Sequence, residues 1–261
     1  MSIGRRGFLI AAFAVAGSAG CAGHDRPTAS PSAAPAGSSA TLSVSPVVTS
    51  TPLSPVVTSV PLSPVVPPLS DAARAAGFVD VRSVVSDAIV ELRYATPNNF
   101  THAPLYPPDA RCLVHESLAP GLATAADVLR SQGEVLVFWD GYRPHDVQVK
   151  MFEVVSNPAW VARPGPYARS HEAGRSVDVT IGRPQDQGGV SLLDMGTDLD
   201  DFSSRGMAYA TDGVSQEAQA NRAPLRAAMS AGGLAPYSGE WWHFDGPGAG
   251  VQRPILDVPV D

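Results

Sequence analysis

The chain has 261 residues, of which 44% are hydrophobic and 16% charged, and its formal net charge is −7. That length suffices for one large domain or two small ones. No stretch of the sequence forms a basic stripe that could collect phosphates, which argues against nucleic acid as a partner. Ten of the 25 prolines precede residue 71. The composition therefore indicates a proline-rich N-terminal segment followed by a globular part.

Residues 1–20 have the three parts of an export signal. Arg5 and Arg6 precede an apolar run from Phe8 to Ala16, and small residues follow. The paired arginines resemble the twin-arginine signal, which exports folded proteins. A membrane-spanning anchor is the alternative, but the apolar run is too short to cross a bilayer comfortably. We therefore predict twin-arginine export.

The signal ends at Ser18-Ala19-Gly20-Cys21, which resembles a bacterial lipobox. Cys21 is then the predicted lipidation site and the first residue of the mature protein. Ser18 departs from the pattern, since leucine is commoner there. Cys112 is the only other cysteine, and we expect it to be a lone buried thiol. The sequence thus predicts a protein that is lipid-anchored to the cell membrane and extracytoplasmic.

Residues 21–70 are rich in proline, serine, threonine and valine and carry almost no charge. The nine residues from Ser45 to Leu53 recur from Ser54 to Leu62, with Val60 in place of Thr51, and in part from Ser63. Repeats this short have no face to bury, and their prolines favour an extended, solvated chain. We predict a disordered stalk, which at about 3.1 Å per residue could hold a domain up to roughly 150 Å from a membrane. A proline-rich ligand for a partner protein is the alternative.

From residue 71 to residue 261 the hydrophobic pattern predicts a single globular domain. Helices are predicted where apolar residues recur at helical spacing, and strands where they alternate or run together. The irregular order of these elements favours an α+β fold, with a central antiparallel sheet flanked by helices, over a doubly wound sheet. The predicted helices cover residues 71–74, 116–132, 147–155 and 215–230, and the predicted strands cover residues 78–81, 88–94, 134–140 and 177–181.

Two short stretches place an imidazole near a carboxylate. In the first, Gly174 lets the chain turn after His171, and the alternating pattern that follows predicts a strand with Asp178 on the side that His171 overlooks. In the second, Glu240 lies three residues before His243. Two histidines and one carboxylate leave an open position on a tetrahedral zinc ion, which a hydrolase needs.

The residues alone also allow an interpretation without a metal site, because a lone histidine in a small domain is more often a surface or core residue than a ligand. Four other histidines are interpreted in that way: His24, His102, His115 and His145.

Five motifs, read in chain order, resemble those of a known family. The resemblance covers about residues 78–250 and is to the zinc D-alanyl-D-alanine dipeptidases of the VanX-like branch. It implies the α+β zinc-peptidase fold and D-Ala-D-Ala, or a related cell-wall peptide, as the substrate. The motifs are Tyr94-Ala95-Thr96 with Asn99-Phe100, Trp139 to Pro144, His171 to Asp178, Met195-Gly196, and Glu240 to His243.

The resemblance also implies a role for each matched side chain. One zinc ion per chain would be bound by His171, Asp178 and His243. Glu240 would act as the general base and acid. Two further roles are implied. Arg143 would stabilise the oxyanion, and Tyr94 and Asp200 would hold the free ammonium of the substrate, the contact that makes a dipeptidase rather than an endopeptidase.

The chain departs from the family pattern at two positions. Arg169 occupies a position that is often serine and linked to the substrate's carboxylate, and an arginine there could bind that carboxylate bidentately. Ser176 replaces the usual alanine. A geometric requirement also follows from the second stretch: in a regular strand Glu240 and His243 would face opposite sides, so this segment has to bend.

Two other functions stay open at this point. One is a DD-carboxypeptidase or endopeptidase that trims the stem peptides of the cell wall, which would suit a stalked protein of the envelope. The other is a non-catalytic zinc-binding wall module. Such a module has no need of a base, so the presence of Glu240 together with Arg143 favours catalysis, and we predict hydrolysis of D-Ala-D-Ala to D-alanine in peptidoglycan turnover.

Overall fold

The structure, a computed structural model, describes residues 67–260. The predicted signal peptide, the lipidation site Cys21 and residues 21–66 of the predicted stalk lie outside the described residues. None of the helices in the described part has the length and hydrophobicity needed to cross a membrane.

Within residues 67–260 the chain forms five α-helices and eight strands. The helices are α1 (Asp71–Ala75), α2 (Val81–Val84), α3 (Ala119–Arg130), α4 (His145–Val154) and α5 (Gln216–Ala231). The strands are β1 (Phe78–Asp80), β2 (Ile89–Val90), β3 (Leu113–His115), β4 (Val135–Asp140), β5 (Ser176–Pro184), β6 (Val190–Leu192), β7 (Ala235–Pro236) and β8 (His243–Asp245).

The central sheet has the strand order β2-β4-β5-β8-β7, and β6 extends it by pairing with β5. Every pair in this sheet is antiparallel except β2 with β4, which is parallel. Strands β1 and β3 form a separate antiparallel pair. The α+β fold predicted from the irregular order of elements is confirmed, with one parallel pair added to the predicted antiparallel sheet.

The middle strands of the sheet form its core and lead to the polar end where the site lies. All six residues of β4 are buried, as are the first seven of β5. The register shifts between Phe138 and Asp140, so that Asp140 comes opposite Asp178, and Asp178 is in turn paired with His243. Three polar side chains on adjacent strands therefore meet at one end of the sheet.

The predicted strand over residues 88–94 is wrong in its length, because β2 comprises only Ile89 and Val90. The chain then turns into a 3₁₀ helix, Arg93–Ala95. The carbonyl oxygen of Tyr94 accepts hydrogen bonds from the backbone of Leu105 and Tyr106. These tertiary contacts outweigh the local preference of the sequence for a strand.

The described residues begin with four that composition assigns to the stalk, and these contact the domain. Arg111 donates hydrogen bonds to the carbonyl oxygens of Pro67 (2.7 Å) and Pro68 (3.1 Å). Ser70 accepts a hydrogen bond from the backbone of Ala73 and caps α1. Cys112 is buried, as predicted, and forms no disulfide within residues 67–260.

Candidate active site

The turn that delivers the first imidazole depends on glycine. Residues Ser170–Ala173 form a 3₁₀ helix that ends at Gly174, whose φ of +62° lies in the left-handed region. A Cβ atom at Gly174 would also lie 2.4 Å from Cε1 of Phe78, so a side chain there would be both strained and obstructed. The turn and the following strand agree with the prediction from the sequence.

The structure brings His171, Asp178 and His243 together, and all three are buried. Nε2 of His171 lies 3.0 Å from Nδ1 of His243 and 3.3 Å from Oδ1 of Asp178. Nδ1 of His243 lies 3.1 Å from the same carboxylate oxygen. Three ligand atoms from two strands and one turn therefore surround a single point.

Neighbouring groups fix which nitrogen of each ring faces this point. Nδ1 of His171 donates a hydrogen bond to the carbonyl oxygen of Gly141 (2.8 Å), and Nε2 of His243 donates one to Oδ1 of Asp245 (3.1 Å). The remaining two ring nitrogens present lone pairs to each other at 3.0 Å. Such an arrangement is stable only with a cation between them, either a proton or a metal ion.

The spacing of the three atoms is close to that of three ligand atoms around a tetrahedral zinc ion. Zinc bonds to histidine nitrogen and carboxylate oxygen are about 2.0–2.2 Å long, which separates tetrahedral ligand atoms by roughly 3.3–3.6 Å. The observed separations of 3.0–3.3 Å are slightly below that range. Two imidazoles and one carboxylate are also the donors that zinc prefers when it keeps an open position.

The charges of the cluster suit a cation as well. Burial alone would raise the pKa of Asp178, but His171 and His243 hold it well below its usual range. For His243, burial lowers the pKa, and the hydrogen bonds to Asp178 and Asp245 outweigh that effect and raise it to about 10. A metal ion that binds here therefore displaces a proton from His243.

Glu240 lies beside this cluster without belonging to it. Strand β7 ends at Pro236 and β8 begins only at His243, so the residues between them form a bend. The predicted bend is confirmed, and it lets Glu240 face the same cavity as His243, with Oε2 of Glu240 3.8 Å from Nδ1 of His243. Burial raises the pKa of Glu240, and the attraction of His243 opposes this only in part.

Arg143 follows β4 and is held rigidly. Its Nε and Nη2 donate hydrogen bonds to Oδ2 of Asp140 at 3.0 and 2.8 Å, and its Nη1 donates one to Gln148 at 2.8 Å. The guanidinium also lies over the ring of Tyr94, 5.2 Å from its centroid. Asp140 is buried, so this ion pair presents a fixed cation to the cavity.

Tyr94 and Asp200 meet on another wall of the cavity. The Tyr94 hydroxyl donates a hydrogen bond to Oδ1 of Asp200 at 3.0 Å. Asp200 has a φ of +62°, which is uncommon for a residue other than glycine and turns the chain at this point. Burial, with repulsion from Asp178, raises the pKa of Asp200 to about 7. A bound ammonium would favour the charged carboxylate.

All of these side chains face one cavity of about 510 Å³. The structure thus brings together every residue of the domain that the sequence predicts for the site. Arg169 lines the cavity too, but it is exposed and lies at its rim. The residues concerned are Tyr94, Arg143, Arg169, His171, Asp178, Asp200, Glu240 and His243.

Comparison with known proteins decides the family. The profile of the D-Ala-D-Ala dipeptidases, peptidase family M15, matches residues 74–261. The chain belongs to this family. It is therefore a metallopeptidase, as its motifs predict.

Two curated relatives carry the same name. The D-alanyl-D-alanine dipeptidase of Escherichia coli (strain K12) is 34% identical over 178 residues, which cover 68% of this chain and 88% of the relative. That of Enterococcus faecium is 29% identical over 202 residues, which cover 70% of this chain and 98% of the relative.

Solved structures are more distant. A zinc complex of the vancomycin resistance D,D-pentapeptidase VanY is 17% identical, with a TM-score of 0.33, and the match covers 52% of this chain and 73% of that one. This similarity is too low to support an inference about the present chain.

Sequence reasoning missed one polar network behind the cluster. Asp245, which orients His243, accepts a hydrogen bond from the Ser176 hydroxyl at 2.5 Å, and Ser170 donates one to Ser176 at 2.9 Å. A signal was available for Asp245, because it lies two residues after His243 and so on the same face of a strand. Nothing in the sequence indicated that Ser176 would form a hydrogen bond with a residue of β8.

Proposed function

We propose that the protein is a zinc-dependent dipeptidase that hydrolyses D-Ala-D-Ala to D-alanine in the cell envelope. The observation that carries the proposal is the convergence of two imidazole nitrogens and one carboxylate oxygen within 3.3 Å of one another, beside a carboxylate and a fixed arginine. Membership of the D-Ala-D-Ala dipeptidase family supports the substrate.

The metal would be held by Nε2 of His171, Nδ1 of His243 and the carboxylate of Asp178. A zinc ion bound there supplies a Lewis acid that polarises the scissile carbonyl and lowers the pKa of water. The carbonyl of Gly141 and the carboxylate of Asp245 bind the other nitrogen of each ring and would keep both rings in the orientation that a metal needs.

Two side chains would perform the proton transfer and the charge stabilisation. Glu240 takes a proton from the attacking water and later gives one to the leaving amine, a role that suits a carboxylate whose pKa is raised towards neutrality. Arg143 stabilises the negative charge that develops on the substrate's carbonyl oxygen, and its pairing with Asp140 keeps it in place beforehand.

Tyr94 and Asp200 would set the length of the substrate. A half-buried carboxylate that can ionise next to the scissile bond would favour the free ammonium of a dipeptide. An acylated amine, as in a longer stem peptide, carries no charge and adds bulk at the same place. The pair therefore favours a dipeptidase over an endopeptidase or carboxypeptidase.

The direct test is release of D-alanine from D-Ala-D-Ala by the zinc-loaded protein, with Glu240→Gln as the matched variant. We expect activity that a chelator removes and zinc restores, and a loss of about 10²-fold or more in kcat for Glu240→Gln with one zinc still bound. Glu240 lies outside the ligand cluster, so zinc content should not change. Activity within tenfold of wild type in Glu240→Gln would assign the base elsewhere.

The envelope location rests on the N-terminal sequence alone. The twin-arginine and lipobox patterns support export and lipidation at Cys21, and residues 22–66 support a stalk. We expect wild-type protein in the membrane fraction and Cys21→Ser protein released from it by a high-salt wash. If the Cys21→Ser protein stays with the membrane, the lipid is not the anchor.

A further inference from the structure

A second cavity, of about 320 Å³, adjoins the active-site cavity. The two share Arg163, Arg169 and His171 among their lining residues. Neither Tyr94 nor Asp200 lines the second cavity. It therefore extends the cleft from His171 away from the residues proposed to hold the substrate's ammonium, which is where the leaving residue of a dipeptide would lie.

Some of the charged side chains around this second cavity already have a side-chain partner. Arg143 is paired with Asp140 at 2.8 Å. Glu172, the one acidic residue among those that line the cavity in the described part of the chain, is paired with His145, at 2.6 Å between Nδ1 and Oε1. Each of these two lining groups is therefore already engaged by another side chain.

Arg163 and Arg169 differ from them. Within residues 67–260 neither guanidinium makes a hydrogen bond or an ion pair with another side chain, and both are exposed to solvent. Arg163 is nevertheless held in place, because its guanidinium lies over the ring of Phe152, 5.0 Å from the centroid. Two unneutralised cations in one concavity attract anions, and each guanidinium can bind a carboxylate with two parallel hydrogen bonds.

We propose that this cavity is a subsite for a leaving residue with two carboxylates, as in D-Ala-D-Glu. Arg169, two residues before His171, binds the C-terminal carboxylate of the dipeptide. Arg163 binds the carboxylate on the side chain. The proposal rests on the proposed dipeptidase function, because that function places the leaving residue here.

The reaction is the same hydrolysis with another leaving group. Water adds across the peptide bond: the C–N bond breaks, the hydroxyl joins the carbonyl carbon of the D-alanyl residue, and a proton goes to the amine of the leaving D-glutamate. The second carboxylate takes no part in bond making, so its effect is on binding and specificity.

The test compares D-Ala-D-Glu with D-Ala-D-Gln, which has nearly the same shape and lacks the second charge. The zinc-loaded full chain is assayed as wild type, as Arg163→Gln and as Arg183→Gln, a control in which an exposed arginine that lines neither cavity is lost. We expect wild type to prefer D-Ala-D-Glu by about fivefold or more in kcat/KM, as for a solvent-exposed ion pair of about 1 kcal/mol. Arg163→Gln should bring the ratio near one, and Arg183→Gln should keep it.

A second readout is independent of turnover of the acidic substrate. Free D-glutamate should inhibit hydrolysis of D-Ala-D-Ala more strongly than D-glutamine does, and this difference should also disappear in Arg163→Gln. Both variants replace exposed side chains, and thermal unfolding followed by circular dichroism would show that each still folds.

Each contrary result has its own meaning. If wild type cuts D-Ala-D-Ala but shows a ratio near one, the subsite is overturned and the dipeptidase proposal stands. If no dipeptide is cut, the dipeptidase proposal itself fails. If Arg183→Gln loses the preference for D-Ala-D-Glu as completely as Arg163→Gln does, the preference reflects the net charge of the protein, and the subsite is overturned. If cleavage of D-Ala-D-Ala-D-Ala depends on Arg163 as strongly, the cavity binds the C-terminal carboxylate of a longer leaving peptide, which overturns the assignment to an acidic side chain.

Discussion

His243 is held from two sides. Its Nδ1 faces Asp178 while its Nε2 donates to Asp245. Asp245 in turn accepts a hydrogen bond from the Ser176 hydroxyl. The hydroxyl of Ser176 therefore fixes the carboxylate that orients His243, a candidate metal ligand.

Zinc affinity should depend on this network. Groups that orient a metal-binding histidine typically account for about 10- to 100-fold in affinity. We expect Asp245→Asn to weaken zinc binding by about tenfold or more and Ser176→Ala to weaken it less, as measured by competition with a chromogenic chelator. Asp127→Asn on the exposed face of α3 is the control for loss of an acidic side chain. An affinity for Asp245→Asn equal to that of the control would mean that Asp245 does not position His243.

At the scale of elements, α5 holds the loop that carries Asp200. Arg222 of α5 is buried and donates hydrogen bonds to the carbonyl oxygens of Met195 (2.7 Å), Arg205 (3.0 Å) and Met207 (3.1 Å). These bonds anchor the loop on both sides of Asp200. The position of the proposed ammonium site thus depends on the packing of α5.

The contact between α3 and α5 leaves no room for a side chain. A Cβ atom on Gly121 would lie 2.3 Å from the carbonyl oxygen of Gly232. Gly121→Ala must therefore separate the two helix ends, and we expect it to lower the free energy of unfolding by about 1–3 kcal/mol. Urea unfolding measures this, with Gly250→Ala as the control, since an added Cβ there meets nothing within 4 Å. Equal stability of the two variants would show that the helices adjust without cost.

Local patterns in the sequence predict some elements and not their arrangement. Strand β5 and the turn at Gly174 were predictable because alternation and a glycine specify them locally. The strand predicted over residues 88–94 was too long because distant contacts turn Tyr94 inwards. The pairing of β5 with β8 joins residues more than sixty positions apart in the sequence. The short distance between His171 and His243 in the fold could therefore not be predicted from their spacing along the chain. Their donor chemistry suggested a shared zinc site, and the family resemblance assigned both residues to it.

At the scale of the whole molecule, the acidic and the basic side chains of the cleft line different parts of it. Asp200 and Glu240 line only the larger cavity, whereas Arg163 and Arg169 line both cavities. A short zwitterionic peptide would bind along this gradient with its ammonium at the acidic end and its carboxylate at the basic end. Of the candidate metal ligands, His171 lines both cavities, and Asp178 and His243 line the larger one.

The most direct test of the account is the comparison of kcat/KM for D-Ala-D-Ala and for the same dipeptide with its amine acetylated. Loss of a charge-assisted hydrogen bond to a desolvated carboxylate costs roughly 2–5 kcal/mol, on the order of 30-fold to several thousand-fold in specificity. We predict that the zinc-loaded protein cuts the free dipeptide and discriminates against the acetylated one to that extent, and that Asp200→Asn reduces the discrimination. Equal cleavage of the two substrates, or a preference for the acetylated one, would contradict the dipeptidase assignment.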